Sequence, residues 1–188
     1  MKQMAVNLEK AARLVAGRFR LACARARLGR ASLPRGVQIG AGVRLSVTDA
    51  GRLSLASPCD IDRGATLIVK YGQIRIGPRS YIGVGSVICA RDAISIGSDC
   101  LIAEHVTIRD QDHRFGPGVI TRHAGFTTAP INIGDNVWVG AKTTITKGVT
   151  IGNNTVIGAN SVVSKDIPAN TVAAGSPARV IRKIDGAS

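Results

Sequence analysis

Aliphatic residues recur at every sixth position in the last third of the chain. Ile133, Val139, Ile145, Ile151, Ile157 and Val163 set the period, and Gly134, Gly140, Gly152 and Gly158 follow four of them. Four places after each aliphatic stand Val137, Thr143, Val149, Thr155, Ser161 and Ile167. The same phase runs upstream in two further sets: Ile96, Ile102 and Ile108, then Ile76, Ile82 and Ile88 with Gly77 and Gly83. A two-residue slip at Ile94-Ser95 joins these sets, and weaker copies start at Ile39-Gly40 and Ile61-Asp62. A period of six does not suit a helix, whose faces recur at 3.6. It suits short strands separated by turns, each strand turning one aliphatic inward. Gly or Asn near each turn permits backbone angles that other residues resist. Three such strands form a coil of triangular section, and each coil stacks on the next by parallel ladder bonds. A fully buried aliphatic contributes roughly 1.5–3 kcal/mol, and no single coil is stable alone, so stability accumulates by stacking. The pattern predicts an all-β parallel β-helix over residues 36–184, with a short tail at 169–184.

The first 35 residues follow another rhythm. Leu8, Ala11, Ala12, Val15, Phe19, Ala22 and Cys23 fall on one stripe of a helix predicted over residues 2–30. Nine Lys or Arg residues stand in this segment against the single acid Glu9. Residues 1–35 therefore form a basic amphipathic cap. One role is to cover the open edge of the β-column; a compatible one is peripheral contact with anionic lipid.

The repeat is interrupted once. Ile108-Arg109-Asp110-Gln111-Asp112-His113 ends a coil, and the pattern resumes at Ile131, leaving residues 114–130 as a loop. A long loop that a solenoid does not need points to a functional site. His113 stands where coil meets loop, and histidine is the residue type whose ordinary chemistry suits a general base near neutral pH. Asp110 and Asp112 are candidates to orient its ring. His105 and His123 are expected to be bystanders.

Composition narrows the classes. The 188 residues suit one domain, and with 3% aromatic residues the core must be built from Ile, Val, Leu and Ala. The net charge of +13 suggests nucleic acid first. Few aromatics exist to stack bases, and no nucleic-acid-binding motif appears, so that partner is not expected. Cys23, Cys59, Cys89 and Cys100 are irregularly spaced, which fits reduced thiols in the cytoplasm. No apolar run approaches the ~20 residues of a membrane span.

"IRDQDH" before the loop and "PINIGDNVWVG" after it resemble the maltose, galactoside and lipopolysaccharide O-acetyltransferases among the hexapeptide-repeat transferases. Residues 133–184, with the tail "SKDIPANTVAAGSPARVIR" at 164–182, are similar to the C-terminal half of those enzymes. The resemblance implies a left-handed helix and a homotrimer, with acetyl-CoA in the groove between subunits. It implies His113 as the base toward a glycan or small hydroxyl acceptor. It places Gly140 and the Ala141 N–H at the thioester, and Ala159, Ser164 and Lys165 along the pantetheine arm. Arg179 and Arg182 would meet the CoA phosphates, and Trp138 would wall the acceptor pocket. No metal is expected. The chain departs from the maltose and galactoside pattern at "VGSVICARD", where Gly85 and Arg91 stand near the family's sugar-contacting Asn and Asp. Arg91 thereby becomes a candidate substrate contact, and the polysaccharide or lipopolysaccharide branch the better match. Acetyl transfer to the amine of an amino sugar or to serine, and a γ-carbonic-anhydrase-like metal helix using His105, His113 and His123, are the alternatives.

Overall fold

The computed structural model describes residues 2–28 and 31–185. It is a left-handed parallel β-helix of about six turns with one N-terminal helix. Strands stack into three parallel sheets, one for each side of a triangular prism. The first sheet contains Ala31–Ser32, Arg52–Leu55, Gln73–Ile76, Ala93–Ile96, Ile131–Ile133 and Thr150–Ile151. The second contains Val37–Ile39, Cys59–Ile61, Ser80–Ile82, Leu101–Ile102, Trp138–Val139, Val156–Ile157 and Thr171–Gly175. The third contains Arg44–Val47, Thr66–Val69, Val87–Ala90, Thr107–Arg109, Thr144–Ile145 and Val162–Val163. The tail strand Ala178–Lys183 folds back antiparallel on Thr171–Gly175 and closes the last coil.

The repeat aliphatics fill the axis. Ile74, Ile82, Ile88, Ile94, Ile102, Ile108, Ile131, Val139, Ile145, Ile157 and Val163 are all fully buried. The slip at Ile94 has a physical cause. In the upper coils the strands of the first and third sheets run to four residues and turn two side chains inward, as Ile94 and Ile96 do. Pairing of Leu53 with Ile74 and of Ile74 with Ile94 gives coils of 21 and 20 residues, whereas Ile133 with Ile151 gives 18. The six-residue rhythm is regular only where every strand is short.

The corners are closed by small polar side chains. Thr143, Thr155 and Ser161 are fully buried, yet each hydroxyl donates to a backbone carbonyl, of Gly158, Pro168 and Gly158 in turn. Burial of a hydroxyl is tolerated when it is bonded in this way. At the corner between first and second sheets, Asn136, Asn154 and Asn170 all take positive φ, which Asn accepts more readily than most residues. Their amides form a ladder of 3.0 and 2.9 Å bonds down the edge.

The helix Lys2–Arg27 caps the first coil, but not through the stripe the sequence suggests. Among the described side chains Gly17 and Leu21 are its buried positions, and Leu28, just past its end, is buried too. Gly17 lies so near Gln38 that a Cβ there would meet Oε1 at 2.8 Å. Arg20 Nη1 donates to the Ile39 carbonyl at 3.1 Å. Val15 and Phe19 stay 67% and 71% exposed. Small residues let the helix approach the sheet closely, so the bulky stripe turns away. Leu8 and Ala11 lie outside the residues whose side chains are described.

Replacing Ile108 by Ala should cost about 2–5 kcal/mol through lost burial and an unfilled cavity. Urea unfolding measures this, and an unshifted midpoint would show that the axial column does not hold the coils.

Candidate active site

The insert is a β-hairpin rather than a bare loop. Gln111–His113 pairs antiparallel with Phe126–Thr128, and a short turn of 3-10 helix covers Thr121–His123. The hairpin springs from the corner between the third and first sheets, and the Ala129 N–H donates to the Asp110 carbonyl at 3.0 Å across its base. The insert thus begins three residues before the expected 114–130 boundaries, at Gln111, and Phe115 and Ile120 lie exposed toward its tip at 82% and 70%.

His113 projects from this stem into solvent. Its ring lies against that of Phe126, with centroids 4.2 Å apart and planes at 38°. The Arg91 guanidinium sits 3.6 Å from the centroid of the same Phe126 ring. Such a cation–π contact is worth about 0.5–2 kcal/mol. Phe126 therefore ties the imidazole to the adjacent coil, and Arg91 is engaged in holding it.

The two carboxylates do other work than expected. Asp110 is fully buried and accepts the Arg91 N–H at 2.9 Å and the Asp92 N–H at 2.8 Å. With the Gln111 amide turned to satisfy its neighbours, that side chain also donates to the Asp110 carboxylate. Burial pushes the Asp110 carboxyl above its ordinary range, and the backbone N–H bonds oppose that rise. Asp112 makes a 2.7 Å ion pair with Lys147. Among the described residues, no hydrogen bond or ion pair joins either carboxylate to the His113 ring. Strand geometry explains this: neighbours such as Asp112 and His113 point to opposite faces, and Asp110 precedes the stem and turns into the corner. Phe126 and Lys147 were not singled out from the sequence. In a chain with three Phe, one placed just before the repeat resumes was the available signal.

The remaining candidates divide between edges of the prism. Ser164 and Lys165 follow the last strand of the third sheet, so they lie on the same edge as His113, further down the column. Gly140, Ala141 and Ala159 lie on the edge between second and third sheets. There a Cβ on Gly140 would meet the Ala159 nitrogen at 2.6 Å. The Asn160 N–H donates to the Ala141 carbonyl and Gly140 to Ile157, both at 2.8 Å, while among the described residues the Ala141 N–H takes no partner. Arg179 and Arg182 are exposed on the tail strand, and no ion pair engages them among the described residues. Trp138 is 54% exposed on the outer face of the second sheet, in register with Leu101 and Val156. His105 takes φ 57° on the Ala141 edge and stacks under Gly85, whose Cβ would meet its Nδ1 at 2.6 Å. Both residues serve that corner. His123 is exposed in the hairpin turn. Among the described residues, no group of three or more His, Cys, Asp or Glu side chains is placed to hold a metal. One chain therefore puts His113 on one edge and the Ala141 amide on another. A cleft of about 1030 Å³ lies under the N-terminal helix, lined by Gln38, Asp60 and Tyr81 rather than by His113.

Residues 130–165 match the family described as bacterial transferase hexapeptide (six repeats). Residues 73–108 match the hexapeptide repeat of succinyl-transferase. The chain is 44% identical over 116 residues to the galactoside O-acetyltransferase of Escherichia coli K12, a stretch that is 61% of this chain and 57% of that protein. The solved maltose O-acetyltransferase of Clostridium difficile 630 is 31% identical, with 92% of this chain and 88% of that one covered at a TM-score of 0.55. A hexapeptide-repeat acetyltransferase of Vibrio cholerae, solved with acetyl coenzyme A, is 30% identical over 77% of this chain and 72% of that one, with a TM-score of 0.57. The chain belongs to the hexapeptide-repeat acetyltransferase family. Its match spans little more than half the length of the galactoside enzyme.

Asp110→Asn should destabilise the fold by about 1–3 kcal/mol, because an amide oxygen replaces a carboxylate that accepts two or more N–H groups. A raised native pKa means the folded chain holds the proton more tightly than the unfolded one. That contribution is complete below the ordinary carboxyl range and fades as pH rises through the raised value. The variant should flatten this part of the stability–pH curve; an unchanged curve would show that Asp110 does not titrate there.

Proposed function

We propose that this protein transfers an acetyl group from acetyl-CoA to a sugar hydroxyl, as a homotrimer with His113 as general base. The acceptor belongs to a polysaccharide, lipopolysaccharide or lipid-linked glycan. The observation that carries the reading is the division of the site. An exposed imidazole braced by Phe126 stands on one edge, and an uncommitted amide beside small residues stands on another. A second copy set edge to edge would bring the two together.

The outer face of the second sheet favours such packing. Tyr81, Leu101, Trp138, Val156 and Val172 follow one another in register, and Leu101 and Trp138 are half exposed. An apolar ladder on a flat sheet suits burial against another chain. Trp138 then reaches a neighbour's His113 rather than its own.

The chemistry follows from these groups. Among the described residues the His113 ring makes no hydrogen bond that would occupy its nitrogens, so one accepts the acceptor's hydroxyl proton. The hydroxyl oxygen attacks the thioester carbonyl carbon, forming the C–O bond. The Ala141 N–H donates to the oxyanion as charge develops there. The C–S bond breaks, the ester is released, and the CoA thiolate collects the proton from His113. No covalent enzyme intermediate is required. Arg179 and Arg182 offer fork-shaped donors to the CoA phosphates, whose charge suits them. Ser164 and Lys165 follow the His113 edge toward the same end of the column, where the pantetheine arm would run. The Vibrio cholerae neighbour solved with acetyl coenzyme A supports this choice of donor.

His113→Ala should lower kcat by roughly 10²–10⁴ while acetyl-CoA binding persists. A variant with full kcat on a glycan acceptor would remove His113 from the mechanism, and faster transfer to an amine would reassign the acceptor. Co-expression of His113→Ala chains with Arg179→Ala/Arg182→Ala chains should restore activity at low acetyl-CoA that neither parent has. Recovery shows that one site draws on two chains; its failure, or a monomeric mass in sedimentation, overturns the shared-site reading.

A further inference from the structure

We propose that the N-terminal helix seats this protein on an anionic lipid surface through the stripe that faces away from the β-column. At 3.6 residues per turn, Ala12, Val15, Phe19, Ala22, Cys23 and Ala26 fall within about 100° of arc. All six are exposed, Val15 at 67% and Phe19 at 71%. The side packed on the coil carries Gly17, Leu21, Ala24 and Leu28. The two faces are nearly opposite, and among the described residues Val15 and Phe19 stand outside the packed core. The helix is therefore apolar on two sides, and only one is used by the fold.

Charge selects the occupant. Arg18 and Arg25 follow one border of the stripe, and residues 1–35 carry nine Lys or Arg against Glu9. Two such helices face to face would bring like charges together. Anionic headgroups supply the opposite charge, while the boundary of the acyl chains receives Phe19 and Val15. No described helix is long and apolar enough to cross a membrane, so this one lies along the surface. The helix is tied to the first coil by the Arg20 bond to Ile39 and the Arg25 Nε bond to Leu33 at 2.5 Å. The lipid-facing orientation is thus fixed by the fold. This inference does not depend on the catalytic reading.

Flotation of the purified full-length protein tests it. Vesicles of phosphatidylcholine alone are compared with vesicles of phosphatidylcholine and phosphatidylglycerol in equal parts. At least about tenfold more protein should float with the anionic vesicles, given several cations near the surface. The difference should collapse near 1 M salt, where the screening length falls to about 3 Å. Phe19→Glu and Val15→Glu should each abolish flotation while helix content and sedimentation mass stay unchanged, because neither side chain packs on the coil. Equal flotation with both vesicle types, or undiminished flotation of Phe19→Glu, overturns the proposal. A changed mass in Phe19→Glu does so too, by assigning the stripe to contact between copies.

Discussion

Each coil of this protein is stable only because another coil lies beneath it. The ladder bonds within the sheets run from one coil to the next, and the axial aliphatics touch mainly those above and below. Pairings such as Ile94 with Ile131 and Ile108 with Ile145 repeat this contact down the column. Backbone groups at the two ends would be left unpaired, and the chain puts an element at each. The helix covers the first coil, and the antiparallel tail Ala178–Lys183 pairs with the last strand of the second sheet. Edges left open in a sheet invite pairing with other chains, so these caps are as necessary as the core.

The same constraint explains where chemistry can sit. The interior of the prism is filled by buried side chains such as Ile82, Ile88 and Ile102. Function is confined to the outer faces and the edges, where side chains escape the stack. The hairpin at the edge below Asp110 is the place where the chain leaves its rhythm. Asp110 lies buried at the root of that departure and fastens the backbone of Arg91 and Asp92. A carboxylate is an expensive group to bury, and it is tolerated here because several donors converge on it. Its cost sets the coil above the hairpin in place, and through Arg91 and Phe126 it bears on the attitude of His113.

A prism with chemistry on its edges has a further property. A single edge is convex and cannot enclose a substrate. Two edges from neighbouring copies make a groove, which is why the division of His113 from the Ala141 amide fits an assembly. The exposed ladder through Leu101 and Trp138 marks a face suited to that contact.

The amino-acid order determined the repeat, the break in it and the tail. Periodic Ile and Val select a period of six without reference to anything distant, and the insert after His113 is visible as a gap in that period. The motifs on either side of the insert and in the tail were enough to identify the family. What the order did not carry was direction. Asp110 and Asp112 both neighbour His113 in sequence, yet a buried corner claims one and Lys147 claims the other. Phe126 reaches His113 only because the insert folds into a hairpin. The N-terminal stripe reads as the packing face because it is the more apolar. Close approach of Gly17 to Gln38 and Ile39 decides for the opposite side. Periodicity is a local property, and a helix or coil follows from it. Which face meets which neighbour depends on the shape of a surface that exists only once the coils have stacked.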